Sequence, residues 1–158
     1  MKSDIEKVAV YEEILSRARG LAEGETDSIA LMANLSALIH REMDFWWTGF
    51  YIVRPKASGE GEELVLGPFQ GPVACTRIGF GRGVCGTAWK EMHTVIVPDV
   101  EEFPGHIACS SESRSEIVVP VFGADGKVKA VLDIDSRELG TFDETDARYL
   151  EAIAGLLS

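Results

Sequence analysis

The sequence predicts an α+β fold in which helices pack on one face of an antiparallel sheet. Two helical patterns stand near the amino terminus, another ends the chain, and short β-rich segments lie between them. Short turns at 59–61 and 125–126 join neighbouring segments, and such connections favour antiparallel pairing because parallel strands need long crossovers. The 158 residues suffice for a hydrophobic core, so we expect one domain over 1–158.

Each predicted helix combines a capping signal with apolar residues at helical spacing. Ser3 and Glu6 form a capping-box pattern, Asp27 or Ser28 can cap the second helix, and the last helix begins near Asp143. A glycine-rich turn within Gly81–Lys90 leads into a short helix. The predicted apolar positions are Ile5, Val8, Ile14, Leu15 and Ala18, then Ile29, Met32, Leu35 and Ile39, then Ala147, Leu150, Ile153 and Leu157.

Six segments rich in β-branched and aromatic residues predict strands. They are Phe45–Arg54, Glu63–Phe69, Val73–Ile78, Thr94–Val97, Glu116–Phe122 and Lys129–Ser136. The stretch 98–115 has no clear period, and long loops of this kind are often functional.

The charge balance excludes some classes of partner. Lys and Arg number 15 and Asp and Glu 26, so the formal charge of −11 argues against nucleic acid and anionic membranes. The polar amino terminus has no signal-peptide pattern, and the apolar runs are too short to span a membrane. We therefore expect a cytoplasmic protein.

Three carboxylates are expected to gather at one end of the last hairpin. If residues 123–126 form the connection, Glu116 lies opposite Asp133, and Asp135 shares their face because strand side chains alternate. Facing like charges require a cation, a metal or a shared proton, which suits recognition of an ammonium group or donation of a proton. The alternative is a solvated face with Arg114 as partner, and a loop one residue longer would place Ile134 opposite Glu116.

Three cysteines are candidates for chemistry: Cys75, Cys85 and Cys109. An odd number does not fit a secreted disulfide framework, and the plain alternative is that some are buried, inert side chains. Cys109 lies in the irregular loop, seven residues before Glu116, where a thiolate could attack a sulfoxide while an acid protonates its oxygen. His106 could lower the pKa of that thiol, whereas carboxylates nearby oppose the change.

Other site types fit the sequence poorly. The glycines between Cys75 and Cys85 lack the Lys and Ser/Thr of a phosphate loop, and no Cys-x-x-Cys pair supports a zinc site. We therefore predict no metal and no cofactor, and we interpret His40 and His93 as structural. The aromatic run around Gly49 is typical of a core, although an indole at the rim of a site suits a thioether. Trp47 and Tyr51 are its substrate-binding candidates.

Several longer motifs resemble one known family, the free methionine-R-sulfoxide reductases, which are GAF-domain enzymes. The similarity runs from about Asn34 to the last helix. The motifs are Trp47–Tyr51, Leu66–Gly71, Gly81–Gly86, Pro98–Val100, Phe103–Cys109, Ser115–Pro120 and Val131–Ser136.

The resemblance implies a fold, a reaction and a set of roles. It implies a GAF-like six-stranded antiparallel sheet with helices packed on it, a homodimer, and reduction of free L-methionine-R-sulfoxide regenerated by thioredoxin. The implied roles are catalysis by Cys109, resolution of its sulfenic acid by Cys75, an auxiliary thiol at Cys85, contact of Trp47 with the substrate methyl end, and binding of its polar groups by Glu116, Asp133 and Asp135.

The chain departs from the family at Ser110, where an acidic residue commonly follows the catalytic cysteine. A lost charge there would ease thiolate formation, weaken substrate positioning or change the loop.

Two other functions also fit the pattern. One is a GAF sensor module that binds a small effector, and the other is a redox switch based on a Cys75–Cys109 disulfide.

Overall fold

The computed structural model describes residues 2–106 and 112–158, in which four α-helices surround a six-stranded sheet. The helices are α1 (Asp4–Ala22), α2 (Ser28–Met43), α3 (Gly83–Glu91) and α4 (Glu144–Ala154). The strands are β1 (Trp47–Pro55), β2 (Glu62–Gln70), β3 (Arg77–Ile78), β4 (Val95–Val97), β5 (Ser115–Phe122) and β6 (Val128–Ser136). Short 3₁₀ turns cover Val100–Glu102 and Gly155–Leu157.

The sheet has the strand order β3-β2-β1-β6-β5-β4, and each neighbouring pair is antiparallel. The long pairs β1–β2 and β5–β6 are hairpins, so local connections build most of the sheet. The predicted α+β class with a six-stranded antiparallel sheet is confirmed.

The predicted caps begin the helices. Ser3 Oγ accepts a hydrogen bond from the Glu6 N–H at 3.3 Å, and Asp27 caps α2. Asp143 and Asp146 form a reciprocal capping box at α4. The apolar faces start later than predicted, since Ile5 is 85% exposed and Ile29 is 42% exposed. Within the described residues, no helix combines the length and apolar character needed to cross a membrane.

Helices cover both faces of the sheet, which corrects the prediction that they share one face. Side chains of α1, α2 and α4 pack in one core with Ile117 and Val119 of β5. Those of α3 pack in a second core with Val118, whose side chain points to the other face because strand residues alternate. The short helix therefore covers the face that carries Glu116.

The register of the last hairpin differs from the prediction by two residues. The turn is one residue longer, since the Gly123 N–H bonds Lys127 O at 2.8 Å, and an irregularity at Val121/Phe122 adds another. Glu116 therefore lies opposite Asp135 rather than Asp133. Because the shift is an even number of residues, each side chain stays on the face predicted for it. The three carboxylates therefore still share one face.

The predicted strand Val73–Ile78 is reduced to Arg77–Ile78. The backbone at and just before its start bonds side chains instead of a neighbouring strand: Trp47 Nε1 donates to Pro72 O and Tyr51 OH to Cys75 O, each at 2.9 Å. Val73 is left 89% exposed. This segment therefore serves as one wall of the pocket described below.

The packing of α3 depends on Gly86. A Cβ at this position would lie 2.5 Å from Gly79 O, inside contact distance. We expect Gly86→Ala to lower the free energy of unfolding by about 1–3 kcal/mol, the usual cost of overpacking. Gly20→Ala is the matched control, because a Cβ there meets nothing within 4 Å and should stabilise α1 by roughly 0.5–1 kcal/mol. Urea unfolding of both variants checks this, and equal effects would contradict it.

Candidate active site

The three predicted carboxylates meet in one pocket. Glu116 comes from β5 and Asp133 and Asp135 come from β6, on the face covered by α3. Glu116 is 6% exposed and Asp133 is 5% exposed, so the alternative of a solvated face does not hold. Among the described residues, Arg114 makes no ion pair with these groups.

Burial decides the protonation of these acids. It raises the pKa of Glu116 and of Asp135 well above their usual ranges, and the charge of Asp133 raises both further. The pKa of Asp133 is also raised by burial. The cluster therefore retains protons at pH values where exposed carboxyls have lost them, as a proton donor must.

Asp133 carries an unsatisfied atom in this pocket. Its buried Oδ1 has no hydrogen-bond partner among the described residues. Asp135 is better supported, since Ser113 Oγ donates to its Oδ1 at 3.1 Å. Because a buried acceptor without a donor costs free energy, Asp133 is poised to accept a hydrogen bond from a ligand.

Cys85 on α3 is a free, buried thiol beside the acids. Its Sγ lies 4.0 Å from Glu116 Oε2. Burial and then the charges of Asp133 and Glu116 raise the pKa of this thiol well above its normal value, so it stays protonated. Ligand atoms of Cys85, Glu116 and Asp133 lie within 4.8 Å of one another, so among the described residues this trio could hold a metal ion.

Trp47 and Tyr51 line the same pocket from β1. Trp47 is paired with Asp135 in the sheet, and its ring stacks on Phe69 with centroids 5.2 Å apart. The indole N–H and the Tyr51 hydroxyl bind the carbonyls of Pro72 and Cys75. Since those polar atoms are already bonded, the two side chains offer the pocket mainly aromatic surface.

Gly49 makes this aromatic arrangement fit. A Cβ on Gly49 would lie 2.3 Å from Phe69 Cβ and 2.8 Å from the Trp47 ring. The glycine within the aromatic run thus marks a close approach between β1 and β2, which periodicity did not reveal.

His106 lies at the edge of the cluster. Its Nε2 is 3.9 Å from Glu116 Oε1, and burial lowers the pKa of the imidazole. The suggested partnership between His106 and Cys109 involves a residue outside the described ranges. Cys109 and Ser110 both lie outside them.

Cys75 lies between the pocket residues Ala74 and Ile78 in the segment after β2. It is half-buried and disulfide-bonded, while Cys85 is free. Ala74 beside it lines the pocket. The two cysteines of the described ranges therefore differ in chemical state, which supports separate roles.

Two further pocket residues were missed in the sequence. Arg82 lines the pocket from the position before α3, and Ser113 bonds Asp135. In the sequence, the glycines around Arg82 drew attention as a phosphate-loop alternative and as a family motif, whereas a cation before a helix start is also a signal for an anion site. Ser113 lies in the irregular stretch, where no pattern set it apart.

Comparison with known proteins agrees with this fold. The pattern of the GAF domain family matches residues 25–158. A GAF domain-containing protein A of Dictyostelium discoideum is 54% identical over 147 residues, covering 93% of this chain and 89% of that protein. The free methionine-R-sulfoxide reductase of Saccharomyces cerevisiae is 43% identical over 161 residues, covering 99% of this chain and 88% of the yeast protein.

A solved structure gives the same result in three dimensions. The X-ray structure of free methionine-R-sulfoxide reductase from Neisseria meningitidis in complex with its substrate is 51% identical and aligns with a TM-score of 0.89. The alignment covers 99% of this chain and 90% of that one. The fold is thus that of a GAF-domain protein. Within that class, the chain belongs to the free methionine-R-sulfoxide reductase family.

The raised pKa of Glu116 has a consequence for stability. The folded protein keeps a proton on this carboxyl at pH values where the unfolded chain has released it. The free energy of unfolding therefore falls as the pH rises from the pKa of the unfolded state toward the pKa of the folded state. We expect Glu116→Gln, which cannot ionise, to exceed the wild type in free energy of unfolding at pH 8. The difference should shrink toward pH 5.

Urea unfolding across this pH range measures the effect. Glu42→Gln is the matched control, because Glu42 forms an exposed ion pair with Arg17 at 3.1 Å. That variant should differ little from the wild type at either pH. A Glu116→Gln protein less stable than the wild type at pH 8 would show that the buried acid is not a source of repulsion.

Proposed function

We propose that this chain reduces free methionine-R-sulfoxide to methionine, with Cys109 as the reacting cysteine. The observation that carries the proposal is the pocket in which buried, proton-retaining carboxyls meet an aromatic wall. Membership of the family supports it. Two of the relatives are named as reductases. The cysteine chemistry proposed for this chain uses no bound cofactor.

The pocket matches the substrate group by group. The substrate's ammonium suits Asp133, whose buried Oδ1 lacks a donor among the described residues. Its methyl end suits the Trp47 ring, which is apolar and buried. Glu116 and Asp135 hold protons within the same pocket, so either carboxyl can serve as the acid for the sulfoxide oxygen.

The proposed reaction balances in three steps. The Cys109 thiolate attacks the sulfoxide sulfur and forms an S–S bond, while a carboxyl protonates the oxygen. The hydroxyl then moves to the Cys109 sulfur as the S–O and S–S bonds break, which leaves methionine and a Cys109 sulfenic acid. Cys75 then condenses with the sulfenic acid, forming a disulfide and water. An external dithiol reduces that disulfide by exchange and is itself oxidised.

The environment of Cys85 argues for a supporting role. Its thiol is buried and held protonated by burial and by adjacent acids, whereas the nucleophile must be a thiolate. Cys75 is the better resolving residue, because it is only half-buried and directly follows Ala74, which lines the pocket. We therefore assign resolution to Cys75 and retain Cys85 as the auxiliary thiol.

Three further parts of the proposal rest on the family resemblance. They are thioredoxin as the reductant, a homodimer as the assembly, and the disulfide that thioredoxin would reduce. The cytoplasmic location remains an expectation from the sequence. Thioredoxin fits the chemistry, because its dithiol is reducing enough to exchange with a catalytic disulfide.

The proposal requires Cys109 for turnover. We expect Cys109→Ser to lower methionine formation from the R sulfoxide by at least about 10³-fold, the scale seen when a nucleophile is removed. Methionine release is measured with a dithiol reductant and with the separated R and S sulfoxides. Retention of the wild-type rate would disprove the role of Cys109, and equal turnover of both isomers would disprove the stereochemical assignment.

Cys75 and Cys85 should separate in a matched pair of variants. With thioredoxin, we expect Cys75→Ser to release about one methionine per chain and then stall, because the sulfenic acid lacks its partner. Cys85→Ser should continue through many turnovers. The opposite result would make Cys85 the resolving residue.

Thiol titration in the same assay separates the enzyme from its alternatives. The proposed reaction consumes two thiols per methionine released when the reduced protein meets the substrate. A sensor module would release no methionine, and a redox switch would lose thiols to peroxide while ignoring the sulfoxide. Either outcome would end the proposal.

A further inference from the structure

The pocket has a positively charged rim as well as an acidic floor. Arg82 is exposed and lines the pocket, next to Gly83 and Val84, the first residues of α3. Glu116 and Asp133 form the buried floor. The site therefore places opposite charges on the two parts of its surface.

The charge of Arg82 is not compensated by an acidic side chain in the part of the chain that the structure describes. In the described ranges no ion pair involves its guanidinium, and it makes no side-chain cap on α3. The first turn of α3 contains no acidic residue either. The amino-terminal end of this nine-residue helix and the guanidinium thus act together as an anion-attracting rim.

A free amino acid carries both of the charges that this pocket complements. The buried Oδ1 of Asp133 lacks a hydrogen-bond donor among the described residues, and an ammonium group can supply one. The parallel N–H groups of the Arg82 guanidinium match the two oxygens of a planar carboxylate. A methionine within a polypeptide has neither charge at its backbone. We propose that Arg82 binds the α-carboxylate of the substrate and is a specificity-determining residue for the free amino acid. This assignment rests on the proposed function.

The test asks whether the effect of replacing Arg82 depends on the α-carboxylate of the substrate. The substrates are free methionine-R-sulfoxide and its α-carboxamide, which keeps the ammonium and the sulfoxide but lacks the carboxylate. We expect Arg82→Gln to raise KM for the free amino acid about tenfold with little change in kcat, because a charge-assisted contact common to the bound states is lost. KM for the carboxamide should change by less than about twofold.

Arg77→Gln is the matched control. Arg77 is another exposed arginine of this region, but it pairs with Glu63 at 3.3 Å and does not line the pocket. We expect this variant to leave KM for both substrates unchanged, and Arg82→Lys to restore part of the affinity for the free amino acid. Thermal unfolding of Arg82→Gln near that of the wild type shows that the fold is intact.

The outcomes separate this inference from the proposed function. A wild-type protein that forms no methionine overturns the proposed function and the inference with it. A wild type that is active, combined with an Arg82→Gln effect equal for both substrates or absent for the free amino acid, overturns the inference alone. Binding calorimetry of the two substrates to Cys109→Ser and to Cys109→Ser/Arg82→Gln repeats the comparison without turnover.

Discussion

Mutual repulsion among buried carboxyls is the constraint on which the site depends. Glu116, Asp133 and Asp135 share one face of the sheet, and two of them are almost inaccessible to water. Such a group persists only if it holds protons or receives a cation. The rest of the fold supplies the burial: α3 covers the face, and the segment after β2 closes one wall.

The alternation of strand side chains made this cluster predictable even though the register was wrong. A longer turn and an irregularity at Val121/Phe122 each displaced the pairing by one residue. The two displacements together place Glu116 opposite an acidic residue again. Sheet type, capping residues such as Ser3 and Asp143, and the acidic face all follow from local patterns. Local signals of this kind act over a few residues, which is why one sequence reveals them.

Features that depend on distant contacts could not be predicted in the same way. The position of α3 on the second face reflects the packing of Val84 and Trp89 against the sheet, and helical periodicity does not specify which face is covered. Likewise, the strand pattern of 73–78 is overridden by side-chain bonds from Trp47 and Tyr51. Arg82 escaped notice because its significance depends on the acids across the pocket.

The same electrostatics connects recognition to the proposed chemistry. Without a substrate, burial keeps Glu116 and Asp135 protonated, so the pocket is primed as an acid but is a weak one. An ammonium group arriving at Asp133 favours the ionised forms of the neighbouring carboxyls and lowers their pKa. The donor thus becomes a stronger acid when a substrate oxygen is present to take its proton. A ligand without the ammonium group would fill the aromatic wall but leave the acids unchanged, so in this scheme the charge of the free amino acid contributes to catalysis as well as to binding.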